Sequence, residues 1–242
     1  MIKATISQWH EAIFRPYILH LLKRHFSCIH LLGPVPSFAD HAILLLPNHS
    51  TWWDGFFVYF LKFSIFKRPG FLMMLEEQLT KNRFFSYVGA FSINPASAAA
   101  TKRSLTYCRE LLMRPEKPFV CIFPQGELLP WGIRPLGYKR GIDFLVRKMT
   151  VPVNVCQIAI KCEFRAGQRP DVFIRFGNNH VIEPGESIEI KALEEQHQQL
   201  LQVMDSQINN GEQGDVLLTG SKSVNELFEM LRRKIGLLRE KK

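Results

Sequence analysis

Short, continuously apolar runs recur along this chain, followed by stretches with helical spacing or, after residues 119–123, by a Gly- and Pro-rich loop to Gly141. Residues 42–46 (Ala-Ile-Leu-Leu-Leu) stop at Pro47, residues 119–123 stop at Pro124, and residues 71–75 lead into Glu76. Such a run has no polar side, so it suits a strand covered on both faces. Residues 53–66, 76–87 and 97–113 read as helices, the last with Leu105, Cys108, Leu111 and Leu112 on one side. Residues 92–93, 153–160 and 172–176 read as further strands, with a turn at residues 167–170 and a short helix over 142–148. Strands alternating with helices predict an α/β fold: a single domain with a mixed, mostly parallel sheet flanked by helices.

The flanks differ from this middle. Over residues 13–32, Ile13, Tyr17, Ile18, Leu21, Leu22, Phe26, Ile29 and Leu32 recur at helical spacing among Arg15, Lys23 and Arg24. This predicts one or two N-terminal amphipathic helices, which either lie in a membrane interface or pack on their own domain. Residues 190–208 are helical and rich in Gln and Glu, residues 209–220 read as a polar connector, and residues 224–238 carry an apolar stripe among basic side chains. The expected organisation is a membrane-associating segment at 1–33, a catalytic domain at 34–185 and a C-terminal helical extension at 186–242.

Composition narrows the function. With 31 Lys+Arg against 22 Asp+Glu the chain carries a formal charge of +9, which favours anionic partners such as lipid headgroups or phosphorylated carriers. Nucleic acid is the weakest candidate, because the chain has no zinc-finger spacing, no RNP-like string and no block of about five or more like charges. Five scattered cysteines without a CxxC pair fit a reducing compartment with buried thiols better than a disulfide framework or a metal site. No signal-peptide pattern opens the sequence, and no uncharged run reaches the ~18 residues a spanning helix needs. A peripheral protein at the cytoplasmic face of the membrane is expected.

The strongest chemical signal is Pro47-Asn48-His49-Ser50-Thr51-Trp52-Trp53-Asp54, where a strand gives way to a helix. A carboxylate five positions after a histidine can meet it across one turn, hold one imidazole tautomer and stabilise the imidazolium. No Gly-x-Ser-x-Gly elbow supplies a nucleophile, so the activated hydroxyl is expected to belong to the substrate, with His49 as its general base. A second signal, Phe123-Pro124-Gln125-Gly126-Glu127, follows another buried strand and continues to Arg134, Lys139 and Arg140, a loop able to grip a phosphate or phosphopantetheine. Trp52, Trp53, Phe56 and Phe57 could shape an acyl-chain groove or simply pack in the core.

These residues resemble the motifs of the PlsC-like glycerolipid and lysophospholipid acyltransferases. His49 and Asp54 match the HxxxxD block, residues 76–94 the second block, Phe123-Pro124-Gln125-Gly126 the Phe-Pro-Glu-Gly block and Val151-Pro152-Val153 the last. The resemblance spans about residues 44–160. It implies His49 as catalytic base, Asp54 as its orienting partner, and Asn48, Phe123, Pro124, Gln125, Gly126, Glu127, Arg134 and Lys139 as substrate-binding. It also implies acyl-CoA or acyl carrier protein as donor, a lipid acceptor such as 1-acylglycerol-3-phosphate, and neither metal nor cofactor. The chain departs from the pattern where the family usually carries two arginines: it has Asn94-Pro95, and Glu127-Leu128 after Gly126. Lys102, Arg103, Arg134, Lys139 or Arg140 could compensate. Otherwise the acceptor is not a phosphomonoester but, for example, a glycosylated lipid or carotenoid. A catalytically idle lipid-binding homologue is the remaining alternative.

Overall fold

The apolar runs do become the centre of a sheet. The computed structural model describes residues 1–38 and 40–222. In chain order these form α1 (Gln8–His25), β1 (Cys28–Leu31), β2 (Ala42–Pro47), α2 (Asp54–Leu61) continued by a π-helical turn (Lys62–Phe66), β3 (Gly70–Leu75), α3 (Glu76–Lys81), a 3-10 turn (Arg83–Val88), β4 (Ala90–Ile93) and α4 (Ala98–Leu112). β5 (Phe119–Cys121), α5 (Gly141–Val146), β6 (Val153–Glu163), β7 (Asp171–Ile182), α6 (Ile190–Asn209) and β8 (Asp215–Thr219) follow. The eight strands lie in the order β4-β3-β5-β2-β6-β7-β1-β8. Five of the pairings are parallel; β6 with β7 and β1 with β8 are antiparallel.

The period of two in β2 distributes the core over both faces. Ala42, Leu44 and Leu46 pack with Leu105, Cys108, Leu145 and Met204 beneath α4, α5 and α6. Ile43 and Leu45 point the other way and pack with Ile18 and Leu22 of α1 and Phe57 and Leu61 of α2. Covered on both faces, β2 has no use for polar residues, which is why its run is unbroken. The ends of β2 and β5 open onto the segments that carry His49 and Gly126.

Three elements differ from the sequence expectation. Residues 28–31 leave the helical pattern and form β1, because Ile29 and Leu31 alternate toward one face while the backbone pairs with β7 and β8. The spacing of Phe26, Ile29 and Leu32 fits a helix equally well, and sheet pairing overrides it. The connector expected at residues 209–220 contains β8, an edge strand whose exposed positions are free to be polar. The helix expected over 76–87 breaks at Asn82 into α3 and the 3-10 turn. The helix expected at 224–238 lies outside the described residues.

Candidate active site

The chain leaves β2 at Pro47 and is fixed at once by Asn48. This buried amide donates to the Ile160 carbonyl at 3.0 Å and to Ser50 Oγ at 3.0 Å, and accepts from the Ile160 amide at 2.8 Å. His49 is then held by the segment after β5. Its main-chain N–H donates to Gln125 Oε1 at 2.6 Å, its carbonyl accepts from Leu129 N at 2.9 Å, and its ring stacks on Phe123 with centroids 4.1 Å apart.

Asp54 opens α2, where the helix dipole favours an anion. Its Oδ2 accepts from His49 Nδ1 at 2.8 Å, Ser50 N at 2.7 Å and Thr51 N at 2.9 Å, and its Oδ1 accepts from Thr51 Oγ1 at 2.6 Å. The carboxylate is 1% exposed, and these four donors compensate its burial. An ionised carboxylate only accepts, so Nδ1 of His49 carries the hydrogen and Nε2 keeps its lone pair. This is the arrangement of a general base with an orienting partner.

Two thiols flank Asp54 without being fit to act as nucleophiles. Burial, then the Asp54 charge, pushes the Cys162 thiol up to about 12, and the same causes hold Cys121 well above the usual thiol range. At neutral pH neither supplies an appreciable thiolate. Ser50 Oγ accepts a hydrogen bond from the Asn48 side-chain amide.

His49 borders a cavity of about 720 Å³, within the span typical of ligand sites (roughly 300–1,000 Å³). Its polar mouth is formed by His49, Gly126, Glu127 and Lys139, and its interior by apolar side chains such as Val58, Leu72, Phe56 and Phe119. Gly55, immediately after Asp54, leaves the wall open: a Cβ there would stand 3.9 Å from Leu72. At Gly70 a Cβ would meet the Phe119 ring at 2.2 Å, so only glycine lets that ring lie against β3.

The site residues named from sequence thus divide in two. Phe123, Pro124, Gly126, Glu127 and Lys139 border the cavity with His49. Asn48, Gln125 and Arg134 instead hold the scaffold. Arg134 donates to the carbonyls of Trp131 at 2.6 Å and Ile133 at 2.7 Å, with its guanidinium over the Trp131 ring. Of the five compensating cations, Lys139 borders the cavity, and it lies 3.3 Å from Glu127. Both partners of that pair are largely exposed, so it is worth little and yields readily to a ligand anion. Of the four candidate groove aromatics, Trp52 and Phe56 line the cavity, whereas Phe57 is buried in the core and Trp53 packs beside it. The sequence reading missed Thr51, which fastens Asp54, and Gly55 and Gly70. An isolated glycine in an apolar helical stretch was the available signal for Gly55.

The loop carrying Lys139 is clamped from behind by α6. Gly137 N donates to Glu194 at 2.6 Å, and Trp131 Nε1 donates to Asp205 at 3.1 Å. Tyr138 hydrogen-bonds His197 Nδ1, whose Nε2 donates to the Ile158 carbonyl at 3.1 Å. Burial drives His197 down to about 3, so it is folded in neutral. Between about pH 6.5 and 3 the unfolded chain binds a proton the folded one refuses; this contribution is complete above 6.5 and lost as pH falls. Lowering pH from 7 to 5 is therefore expected to cost about 2 kcal/mol through His197 alone. Urea unfolding at both pH values, beside His197→Gln, measures it. An equal pH dependence in the two proteins contradicts it.

The sequence model of the acyltransferase family matches residues 28–160, from β1 into β6, a span that holds His49, Asp54 and the Gly126 turn. The fold is similar to the crystal structure of the 1-acyl-sn-glycerophosphate (LPA) acyltransferase PlsC from Thermotoga maritima. The TM-score is 0.50 at 15% identity, covering 82% of this chain and 83% of that one. No curated protein matches the sequence. The family match covers more than half of the chain, and the chain belongs to the acyltransferase family.

Proposed function

We propose that this acyltransferase moves a fatty acyl group from acyl-CoA or acyl carrier protein onto a lipid hydroxyl, by direct attack and without an acyl-enzyme. The observation that carries this is the His49–Asp54 pair at the mouth of an apolar cavity. The acceptor O–H gives its proton to His49 Nε2 as its oxygen bonds the thioester carbonyl carbon. The C–S bond then breaks, and the departing sulfur takes the proton back from the imidazolium. Asp54 keeps the ring in the right tautomer and stabilises its charge. The acyl chain lies in the apolar interior, and Lys139 offers a cation to an anionic group of donor or acceptor.

The acceptor favoured is 1-acylglycerol-3-phosphate or a related lysophospholipid. A non-phosphomonoester acceptor, such as a glycosylated lipid, is the second reading. It is favoured by one observation: Arg134 is turned away and Lys139 faces Glu127, so among the described residues the mouth has no pair of arginines for a phosphate. Acyl donors incubated with both acceptor classes, followed by mass identification of the product, separate the two. An acylated lipid from one class supports the proposal, and no product from any acceptor refutes it.

The same reading places the protein on a membrane surface. Among the described residues no helix is long and apolar enough to cross a bilayer. Trp9, Ile13 and Tyr17 stand exposed four residues apart on α1, and ring contacts run from Tyr17 through Phe14 and Phe56 to exposed Trp52 at the cavity. Such a strip suits an interfacial helix. Replacing Trp9, Ile13 and Tyr17 with serine is expected to weaken binding to anionic liposomes at least about tenfold, one buried large apolar side chain being worth roughly 1.5–3 kcal/mol. Unchanged sedimentation with liposomes contradicts the placement.

A further inference from the structure

On the far side of the sheet from α1, the start of β1 and the start of β7 bring three ligating side chains together. Cys28 and His30 share a face because they are two residues apart on a strand. Asp171 lies one step before the Ile29–Val172 partner pair. The Cys28 sulfur, a His30 ring nitrogen and an Asp171 oxygen lie within 4.8 Å of one another. His30 is 4% exposed and stacked on Phe173, and neither of its ring nitrogens has a side-chain hydrogen-bond partner, the Gln213 main chain being the polar backbone group against the ring. Asp171 Oδ2 stands 3.8 Å from Nε2. Buried imidazoles are normally well satisfied, so one set beside a thiol and a carboxylate without a close side-chain hydrogen bond needs a reason.

We propose that Cys28, His30 and Asp171 form a site for a zinc-class divalent ion. The donor set of one sulfur, one nitrogen and one oxygen suits a borderline-soft ion and neither Mg²⁺ nor Ca²⁺. A thiolate, a carboxylate and a neutral imidazole around a dication sum to zero charge, which suits a largely buried place. Tetrahedral bonds of about 2.0–2.3 Å set ligands about 3.3–3.8 Å apart, so modest side-chain rotation closes the site. The fourth position faces the α6–β8 connection, where the Gln213 main chain approaches His30, and is open to that carbonyl or to water. Arg165, 4.0 Å from Asp171, now balances the carboxylate and would be displaced toward solvent. β8 carries one extra residue, Leu217, opposite the Ile29–His30 step, a bulge of the kind that re-aims side chains at sites.

The site lies three strand spacings from β2, about 14 Å, and takes no part in acyl transfer. Its effect is to tie β1 and β7 to the connection leading into the edge strand β8. The test uses the full chain stripped with chelator and titrated with Co²⁺ alone, then with Zn²⁺ alone. One equivalent of Co²⁺ is expected to give a sulfur-to-metal charge-transfer band. At a hundredfold excess over Kd, Zn²⁺ is expected to raise Tm by about 5–10 °C. Cys28→Ser is expected to lose the band, His30→Ala to lose the Tm shift, and His49→Ala to keep both. Wild-type protein with neither band nor shift overturns the proposal. So does a band kept in Cys28→Ser and lost in Cys162→Ser, which would move the ion to the thiol beside Asp54.

Discussion

Replacing His49 with alanine is expected to lower kcat for acyl transfer by about 10²–10⁴, the usual worth of a positioned general base. The fold should survive, because Asp54 keeps the Ser50 and Thr51 amides and the Thr51 hydroxyl as donors when the imidazole is gone. Thiol release from an acyl donor, measured beside thermal unfolding, separates lost chemistry from lost structure. Asp54→Asn is the informative companion. Its amide cannot accept all four hydrogen bonds, and its NH₂ would press the imidazole into the wrong tautomer, so activity and stability should fall together. A His49→Ala protein that turns over at the wild-type rate would remove His49 from the mechanism.

The second large effect belongs to the cavity. Gly55→Leu would send a branched side chain from the first turn of α2 toward Leu72, across the apolar space beyond His49. If it displaces three methylenes of a bound acyl chain at about 0.8 kcal/mol each, kcat/KM for long-chain donors falls by roughly 50-fold. Short-chain donors, which never reach the new side chain, should react as before. A series of donors differing in chain length reads this directly. An equal loss at every length would mean that the substitution disturbs Asp54, and the cavity would lose its assignment as the acyl site.

How far such features were legible in the sequence depended on whether one stretch of chain contains the cause. The β2 run, the turn joining His49 to Asp54 and the α4 stripe are local patterns, and each appears where its spacing places it. β1 and β8 are not local: Cys28-Ile29-His30-Leu31 is a strand because β7 lies beside it, and Asp215–Thr219 because β1 does. The site shows the same division. Phe123, Gly126 and Lys139 border the cavity, while Arg134, which the same loop presents in sequence as another substrate cation, donates instead to the Trp131 and Ile133 carbonyls. Its guanidinium lies over the nearby Trp131 ring, and that ring is fixed in turn by Asp205 of α6, 74 residues further along the chain than Trp131. Gly55 and Gly70 matter through the space they leave, which no residue pattern displays.

Direct attack by the acceptor is the core of the account, and a single-turnover experiment tests it most directly. Enzyme in excess over acyl donor is mixed first without and then with lipid acceptor, and free thiol is followed in time. The account predicts no thiol release until the acceptor is added, then release matched by acylated lipid and dependent on His49. A stoichiometric burst of thiol before the acceptor arrives would demand an acyl-enzyme and contradict the assignment of His49 as base to the substrate's own hydroxyl.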